Sequence, residues 1–308
     1  MATPHRNTRH RALGGVLLPL VAVLAWLFVY EPVHLPRVPI PARSPRIMGH
    51  RGFGDRAPDN SLFATERALA EGLDGVDVDG QFTRDSVLVI YHDLSVDRLT
   101  ADTGRVAAKS AAQMLALDLG PKADSAMTGA FVRTFEAFVM ALKGRGILSV
   151  ELKVPGAGAT GIEAAAVRIL ERHDAFDDVV LSSFNPLVLW RLKRADPRVR
   201  TVLIFMDTNW NPALLAEIKP GDEVALPWPL RQEWIRRGIR KLVRPDYLSV
   251  NHEVAEATID RLLAKGWPIF LWTPNDEPSL RRALGKRPFA VISDEPLLAR
   301  ALRDAPAP

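Results

Sequence analysis

Short apolar runs recur along this chain, and most are followed by a longer stretch whose apolar residues keep helical spacing. The runs are RIMG at 46–49, GVDVDGQF at 75–82, VLVIY at 87–91, GILSVEL at 146–152, DVVLSSF at 178–184, VRTVLIF at 199–205, DYLSV at 246–250, PIFLW at 268–272 and FAVIS at 289–293. Helical spacing is read near 61–71, 130–143, 160–173, 186–195, 211–218, 230–241, 254–265, 277–285 and 295–303. Alternation of this kind predicts an α/β fold with a parallel sheet. The four residues TRDS, 83–86, can close a hairpin but cannot return the chain for parallel pairing. So 87–91 is expected to pair back on 75–82 as an antiparallel excursion, leaving enough strands to close a TIM-type (β/α)8 barrel. A doubly wound open sheet lacks support, because no Gly-rich phosphate loop follows the first strand.

The N-terminus breaks this rhythm. Leu13 to Tyr30 is an apolar run without a charge, long enough to span a bilayer at the lower limit. Arg6, Arg9 and Arg11 precede it, which favours a cytoplasmic N-terminus, and Trp26 and Tyr30 sit near its far end as interfacial residues do. The expected organisation is therefore a basic tail over 1–12, a transmembrane helix or uncleaved signal over 13–30, a Pro-rich spacer over 31–45 and a barrel domain over 46–304. The barrel would stand at the cell membrane on the extracytoplasmic side. A cleaved signal peptide is one competing reading, but no clear small-x-small cleavage site follows the run; a buried core helix is the other, though it would be an odd element to precede a Pro-rich spacer.

Composition removes several chemistries. The chain has no Cys, which excludes disulfides, thiolate catalysis and Cys-based zinc sites. A net charge of +4 dispersed over 308 residues does not mark a nucleic-acid binder. The most basic stretch, 228–245, carries Arg231, Arg236, Arg237, Arg240, Lys241 and Arg244 against Glu233. It is read as an outer barrel helix with a solvated basic face, with contact to an anionic membrane as the alternative.

The polar groups fall where barrel chemistry needs them. His50 and Arg51 follow the first run, Asp77 and Asp79 lie in the second, Glu151 and Lys153 end the fourth, and Trp272 ends the eighth. Active sites of such barrels form at the C-terminal ends of the strands. Asp77 and Asp79 are two apart on one strand and so share a face. Two carboxylates that close repel unless a cation lies between them, and Glu151 adds a third from another strand. Hard oxygen donors of this kind suit one divalent cation, Mg²⁺ or Ca²⁺. An imidazole ordinarily titrates near the working pH, so His50 and His92 suit acid–base work, with Asp93 available to orient His92. Arg51 and Lys153 are candidates to hold phosphate oxygens, or salt-bridge partners of the carboxylates. Asp59, Asn60 and Ser61 compete for the N-cap of the helix that follows.

In order, GHRGFGDRAPDNSLFATERALAEG, GVDVDGQFTRDSVLVIYHDLSVDRLT, VELK, SSF, FLWTPN and VISDEP resemble the landmarks of the glycerophosphodiester phosphodiesterases. The resemblance covers roughly 46–297. It implies a TIM-type barrel that hydrolyses glycerophosphodiesters to an alcohol and glycerol 3-phosphate with a divalent metal. By position it implies His50 and His92 as the acid–base pair and Asp77, Asp79 and Glu151 as metal ligands. Arg51 and Lys153 would then lie near the phosphate, and Trp272 on the substrate side. Asp77 and Asp59 each stand where the family usually has Glu, and Pro274 replaces the usual apolar residue. Two rival readings keep the barrel: lysophospholipase D-like or phospholipase C-like action on membrane lipids, with a lysolipid phosphodiester as substrate, or an inactive barrel used as a binding module.

Overall fold

The computed structural model describes residues 19–35, 45–120, 128–154, 156–206 and 232–305. The strands are β1 (Arg46–His50), β2 (Gly75–Phe82), β3 (Leu88–Ile90), β4 (Arg133–Thr134), β5 (Ile147–Leu152), β6 (Val179–Ser183), β7 (Arg200–Phe205), β8 (Tyr247–Asn251), β9 (Ile269–Trp272) and β10 (Ala290–Ser293). The described barrel-domain helices are α1 (Leu62–Ala70), α2 (Ala111–Leu115), α3 (Phe135–Leu142), α4 (Ile162–His173), α5 (Pro186–Ala195), α6 (Glu233–Val243), α7 (Glu256–Ala264), α8 (Glu277–Gly285) and α9 (Pro296–Asp304). Strands β1, β2 and β5 to β10 pair in parallel, and the β1–β2 pairing closes them into a barrel. Strand β3 folds back antiparallel on β2, as the short TRDS linker requires, and β4 pairs on β3.

Strand alternation divides the apolar residues between two cores. Ile47, Val76, Val78, Leu148, Val150, Leu181, Leu203, Leu248, Leu271 and Val291 belong to the large core between strands and helices. Met48, Val180, Val202, Tyr247, Phe270, Phe289 and Ile292 form a second cluster from the opposite face of the same strands. The next inward positions along those strands are polar, Asp79, Ser149, Ser182, Ser249 and Asn251, and all are buried. A packed apolar plug thus underlies a polar C-terminal rim, the arrangement that places a site at the strand ends. The described part of the 94–145 connection packs Met114 and Val132 with Tyr91 in a small satellite core. Helix α2 and strand β4 in that region carry too few residues to show a period. The helix expected over 211–218 lies outside the described residues.

The N-terminal expectation meets a different arrangement. Positions 13–18 of the expected span lie outside the described residues, and 19–28 are helical. Among the described residues no helix is long and apolar enough to cross a membrane. The segment 31–35, expected as the start of a free spacer, is docked on the barrel. Glu31 is buried and pairs with Arg237, Arg240 and Arg261, and the His34 ring stacks on Trp267 at 3.8 Å. The face of α6 is accordingly not a solvated basic one. Arg236 and Arg240 are 2% and 3% exposed, and both also bind Glu233. Arg236 lies over the Phe205 ring as well, 4.6 Å from its centroid. A buried cation survives only with such partners.

Candidate active site

The chain leaves β1 through Arg51, whose φ of 50° lies in the left-handed region. The loop that follows passes close to the end of β10. A Cβ on Gly54 would lie 2.0 Å from the Asp294 carbonyl oxygen, so only glycine fits. This approach brings His50 against Asp294: Nδ1 and Oδ1 are 2.6 Å apart. The other carboxylate oxygen of Asp294 accepts from the Asn275 amide at 2.7 Å. Burial alone would raise the Asp294 pKa, but the hydrogen bonds from His50 and Asn275 outweigh it and hold the carboxyl below its usual range.

The three residues competing to cap α1 divide into three roles. Ser61 is the N-cap, accepting from the Ala64 amide at 3.0 Å. Asn60, with φ of 58°, turns inward: its amide donates to Asp79 Oδ2 at 3.1 Å, and its Oδ1 accepts from the Asp79 backbone N–H at 2.8 Å. Asp59 accepts from Arg51 at 3.1 Å and from Arg98 at 3.0 Å.

These contacts close a ring around His92. Arg51 Nη2 lies 3.0 Å from His92 Nε2, His92 Nδ1 lies 2.6 Å from Asp93 Oδ1, and Arg98 grips Asp93 through Nε at 2.7 Å. Arg98 then returns to Asp59 and so to Arg51. The loop carrying His92 is tied to β2 by Gln81, whose amide nitrogen lies within 2.9 Å of the carbonyls of Tyr91, His92 and Asp93. Burial, then the nearby Lys153 ammonium, push the His92 pKa down to about 4. The Asp93 carboxyl is also held low, because its bonds from His92 and Arg98 outweigh its burial.

On the inner face, Asp79 of β2 stands beside Glu151 of β5, and Asp77 beside Ser149. The Lys153 ammonium bridges the first pair, 3.0 Å from Asp79 and 3.3 Å from Glu151. Burial would lower the Lys153 pKa, but these two carboxylates raise it. Asp77 pairs with no ammonium or guanidinium among the described residues. Burial, followed by repulsion from Asp79, pushes its pKa up to about 7. Glu151 is likewise raised by burial. Three buried carboxylates with one ammonium are short of positive charge, and their oxygen donors are of the kind a hard divalent cation takes. The donor chemistry fits such an ion. Among the described residues, however, no three His, Asp or Glu side chains are arranged around a metal position. Lys153 stands between two of the carboxylates instead.

The model of the glycerophosphoryl diester phosphodiesterase family matches residues 50–298, the span that holds every one of these groups. The chain belongs to the glycerophosphoryl diester phosphodiesterase family. It is a phosphoric diester hydrolase. The phosphodiesterase is 25% identical over 254 residues to a glycerophosphodiester phosphodiesterase of Caldanaerobacter subterraneus, covering 81% of this chain and 94% of that one. It is 28% identical over 298 residues to the human glycerophosphodiester phosphodiesterase 1, covering 88% and 86%. Its fold is similar to that of an Oleispira antarctica phosphodiesterase solved with the product sn-glycerol-3-phosphate. That match has a TM-score of 0.70 and 22% identity, and covers 85% of this chain and 98% of that one.

The phosphodiesterase thus brings His50, Arg51, Asp77, Asp79, His92, Glu151 and Lys153 to one end of the barrel. Trp272 stands on the same rim at the end of β9, edge-on to Phe184 with ring centroids 6.1 Å apart. Its buried indole N–H finds no hydrogen-bond partner among the described residues. Sequence reasoning missed Asn60, Gln81, Arg98 and Asp294 as parts of the site. Gln81 had a signal available, since it continues the inward period of Asp77 and Asp79. Asp294 had one as well, since it directly follows the FAVIS run inside VISDEP, but its partner His50 lies 244 residues away.

Proposed function

We propose that this phosphodiesterase hydrolyses a glycerophosphodiester to an alcohol and glycerol 3-phosphate, with His92 as general base and His50 as general acid. The observation that carries this reading is the contrast between the two imidazoles. His92 accepts from a guanidinium at Nε2, so it is neutral with a lone pair on the site side. His50 instead has its Nδ1 against the Asp294 carboxylate, which orients the ring for proton donation from Nε2.

In this reading Arg51 lets go of His92 and turns to the phosphate, where its planar fork binds two oxygens. Nε2 of His92 then takes the proton of the attacking oxygen as that oxygen bonds to phosphorus. The P–O bond to the leaving alcohol breaks, and His50 gives its Nε2 proton to the departing oxygen. Asp77, Asp79 and Glu151 would hold a divalent cation, Mg²⁺ or Ca²⁺, and Lys153 would then serve the phosphate. Such an ion supplies charge neutralisation at the phosphate oxygens. The indole N–H of Trp272 donates to the glycerol or phosphate portion. The product bound by the Oleispira antarctica phosphodiesterase supports this substrate class.

The chain is further proposed to be held at the membrane by 13–30 with its barrel outside the cytoplasm. The charge-free run, the arginines before it and the exposed Val21, Val23, Leu24 and Val29 support this. One assay tests the reaction. With glycerophosphocholine and Mg²⁺ or Ca²⁺, the expected products are choline and glycerol 3-phosphate, resolved by phosphorus NMR. Phosphocholine with free glycerol would instead indicate the phospholipase C-like cleavage, and turnover unaffected by EDTA would remove the metal from the account.

A further inference from the structure

The helical segment that ends at Phe28 is fastened to the barrel in a specific way. The last carbonyls of a helix lack intrahelical donors. Here α6 supplies them. Lys241 donates to the carbonyls of Trp26, Leu27 and Tyr30, and Arg237 donates to that of Val29 at 2.6 Å. Phe28 packs edge-on to Trp234 at 5.5 Å and lies over Gly238, where a Cβ would come within 2.7 Å of its ring. Glu31 then enters the arginine cluster of α6 and α7. The segment is therefore seated in the barrel wall rather than hanging from it.

This seating leaves an open cavity of about 560 Å³ between the N-terminal helix and α6 and α7. One wall is apolar and aromatic, made by Trp26, Val29 and Tyr30, and the other carries Arg237, Arg261 and Lys265. Glu31 also lines the cavity and takes part of the positive charge, pairing with both Arg237 and Arg261, and Glu233 binds Arg261 as well. Lys265 forms no ion pair among the described residues, and it is only half-buried. The apolar wall is itself open to solvent: Trp26 is 49% exposed, Val29 70% and Tyr30 57%.

We infer that this cavity binds the headgroup of an anionic phospholipid, its phosphate against Lys265 and Arg237 and its acyl chains along Trp26, Val29 and Tyr30. Amphipathic chemistry of this kind selects a ligand that is anionic at one end and apolar at the other, and a polar-faced aromatic belt is where such ligands meet a membrane protein. The apolar run 13–30 continues from this wall, so the ligand would be met within the bilayer surface itself. The inference rests on the membrane reading above and adds a headgroup preference to it.

The test uses the full-length chain extracted in mild detergent and re-equilibrated with equal amounts of phosphatidylglycerol and phosphatidylcholine. Native mass spectrometry then counts the lipid retained. About tenfold more phosphatidylglycerol than phosphatidylcholine is expected on the native chain. Lys265→Glu, which breaks no ion pair in the described structure, is expected to erase that preference without changing turnover of glycerophosphocholine. Millimolar inorganic phosphate should not displace the lipid, because the apolar wall contributes to binding. Displacement by phosphate alone, equal retention of both lipids, or an unchanged preference in Lys265→Glu overturns the site. Membrane fractionation is read separately. An anchored chain without preference overturns the site alone, whereas a chain found wholly in the soluble fraction overturns the anchoring and the site together.

Discussion

Arg51 reaches Nε2 of His92 at 3.0 Å, and a guanidinium can only donate. His92 Nε2 is therefore an acceptor, and the proton of the ring sits on Nδ1, donated to Asp93 at 2.6 Å. Nitrogen NMR of ring-labelled protein at neutral pH should show one protonated and one unprotonated nitrogen for His92. The Asp93→Asn variant should lose this pattern, because an amide can offer its own N–H to Nδ1 and reverse the tautomer. With the lone pair turned away, kcat should fall by about 10²-fold or more, and loss of the charge-assisted pair with Arg98 should lower stability by about 1 to 3 kcal/mol as well.

The pH behaviour of His92 follows from its surroundings. An ordinary histidine titrates near 6.5, and burial beside Lys153 brings this one down to about 4. Between those values the unfolded chain binds more protons than the folded one, so the His92 contribution to stability falls as pH drops from 6.5 toward 4. The base also stays competent through that window. The acid limb of kcat/KM should therefore lie below the ordinary histidine range, and an NMR titration of His92 should place its midpoint well under 6.5. A limb and a midpoint both at 6.5 would mean the ring is solvated and not held as described.

Asp59 links two arginines, and its length sets where they stand. Asp59→Asn removes the charge that holds Arg51 and Arg98. Loss of a partly buried charge-assisted pair suggests a destabilisation of about 1 to 3 kcal/mol. KM for the phosphodiester should change with it, because Arg51 loses its anchor. Asp59→Glu restores the charge and the residue usual in the family, and thermal unfolding with steady-state kinetics should show it much closer to the native chain.

Glu31 is the clasp between the N-terminal segment and the barrel. Substitution by Gln leaves Arg240 buried with Glu233 as its remaining carboxylate. Breaking one side of a buried ion network costs about 3 kcal/mol. Thermal denaturation of Glu31→Gln should show a clear fall in melting temperature with no change in kcat, since the clasp is remote from the histidines in the fold. An unchanged melting temperature would mean that the segment adds nothing to the barrel.

The strands and most helices were legible because each announces itself locally. GVDVDGQF coincides with β2, and the helices at 186–195 and 277–285 coincide with α5 and α8. The inward pair Asp77 and Asp79 followed from strand period alone. What escaped was set by distance along the chain. Asp294 meets His50 only after the barrel closes, and the buried Arg240 meets Glu31 from 209 residues away. Asn60 was misread for a different reason. Beside Ser61 in a capping sequence it looks like a cap, and only its left-handed backbone turns it toward Asp79.

The central claim is metal-assisted hydrolysis by two histidines, and release of glycerol 3-phosphate from glycerophosphocholine tests it most directly. The native chain with Mg²⁺ or Ca²⁺ should release it, EDTA should stop the release, and His50→Ala and His92→Ala should each lower kcat by about 10² to 10⁴-fold. Release that survives both EDTA and the loss of either histidine would contradict the account.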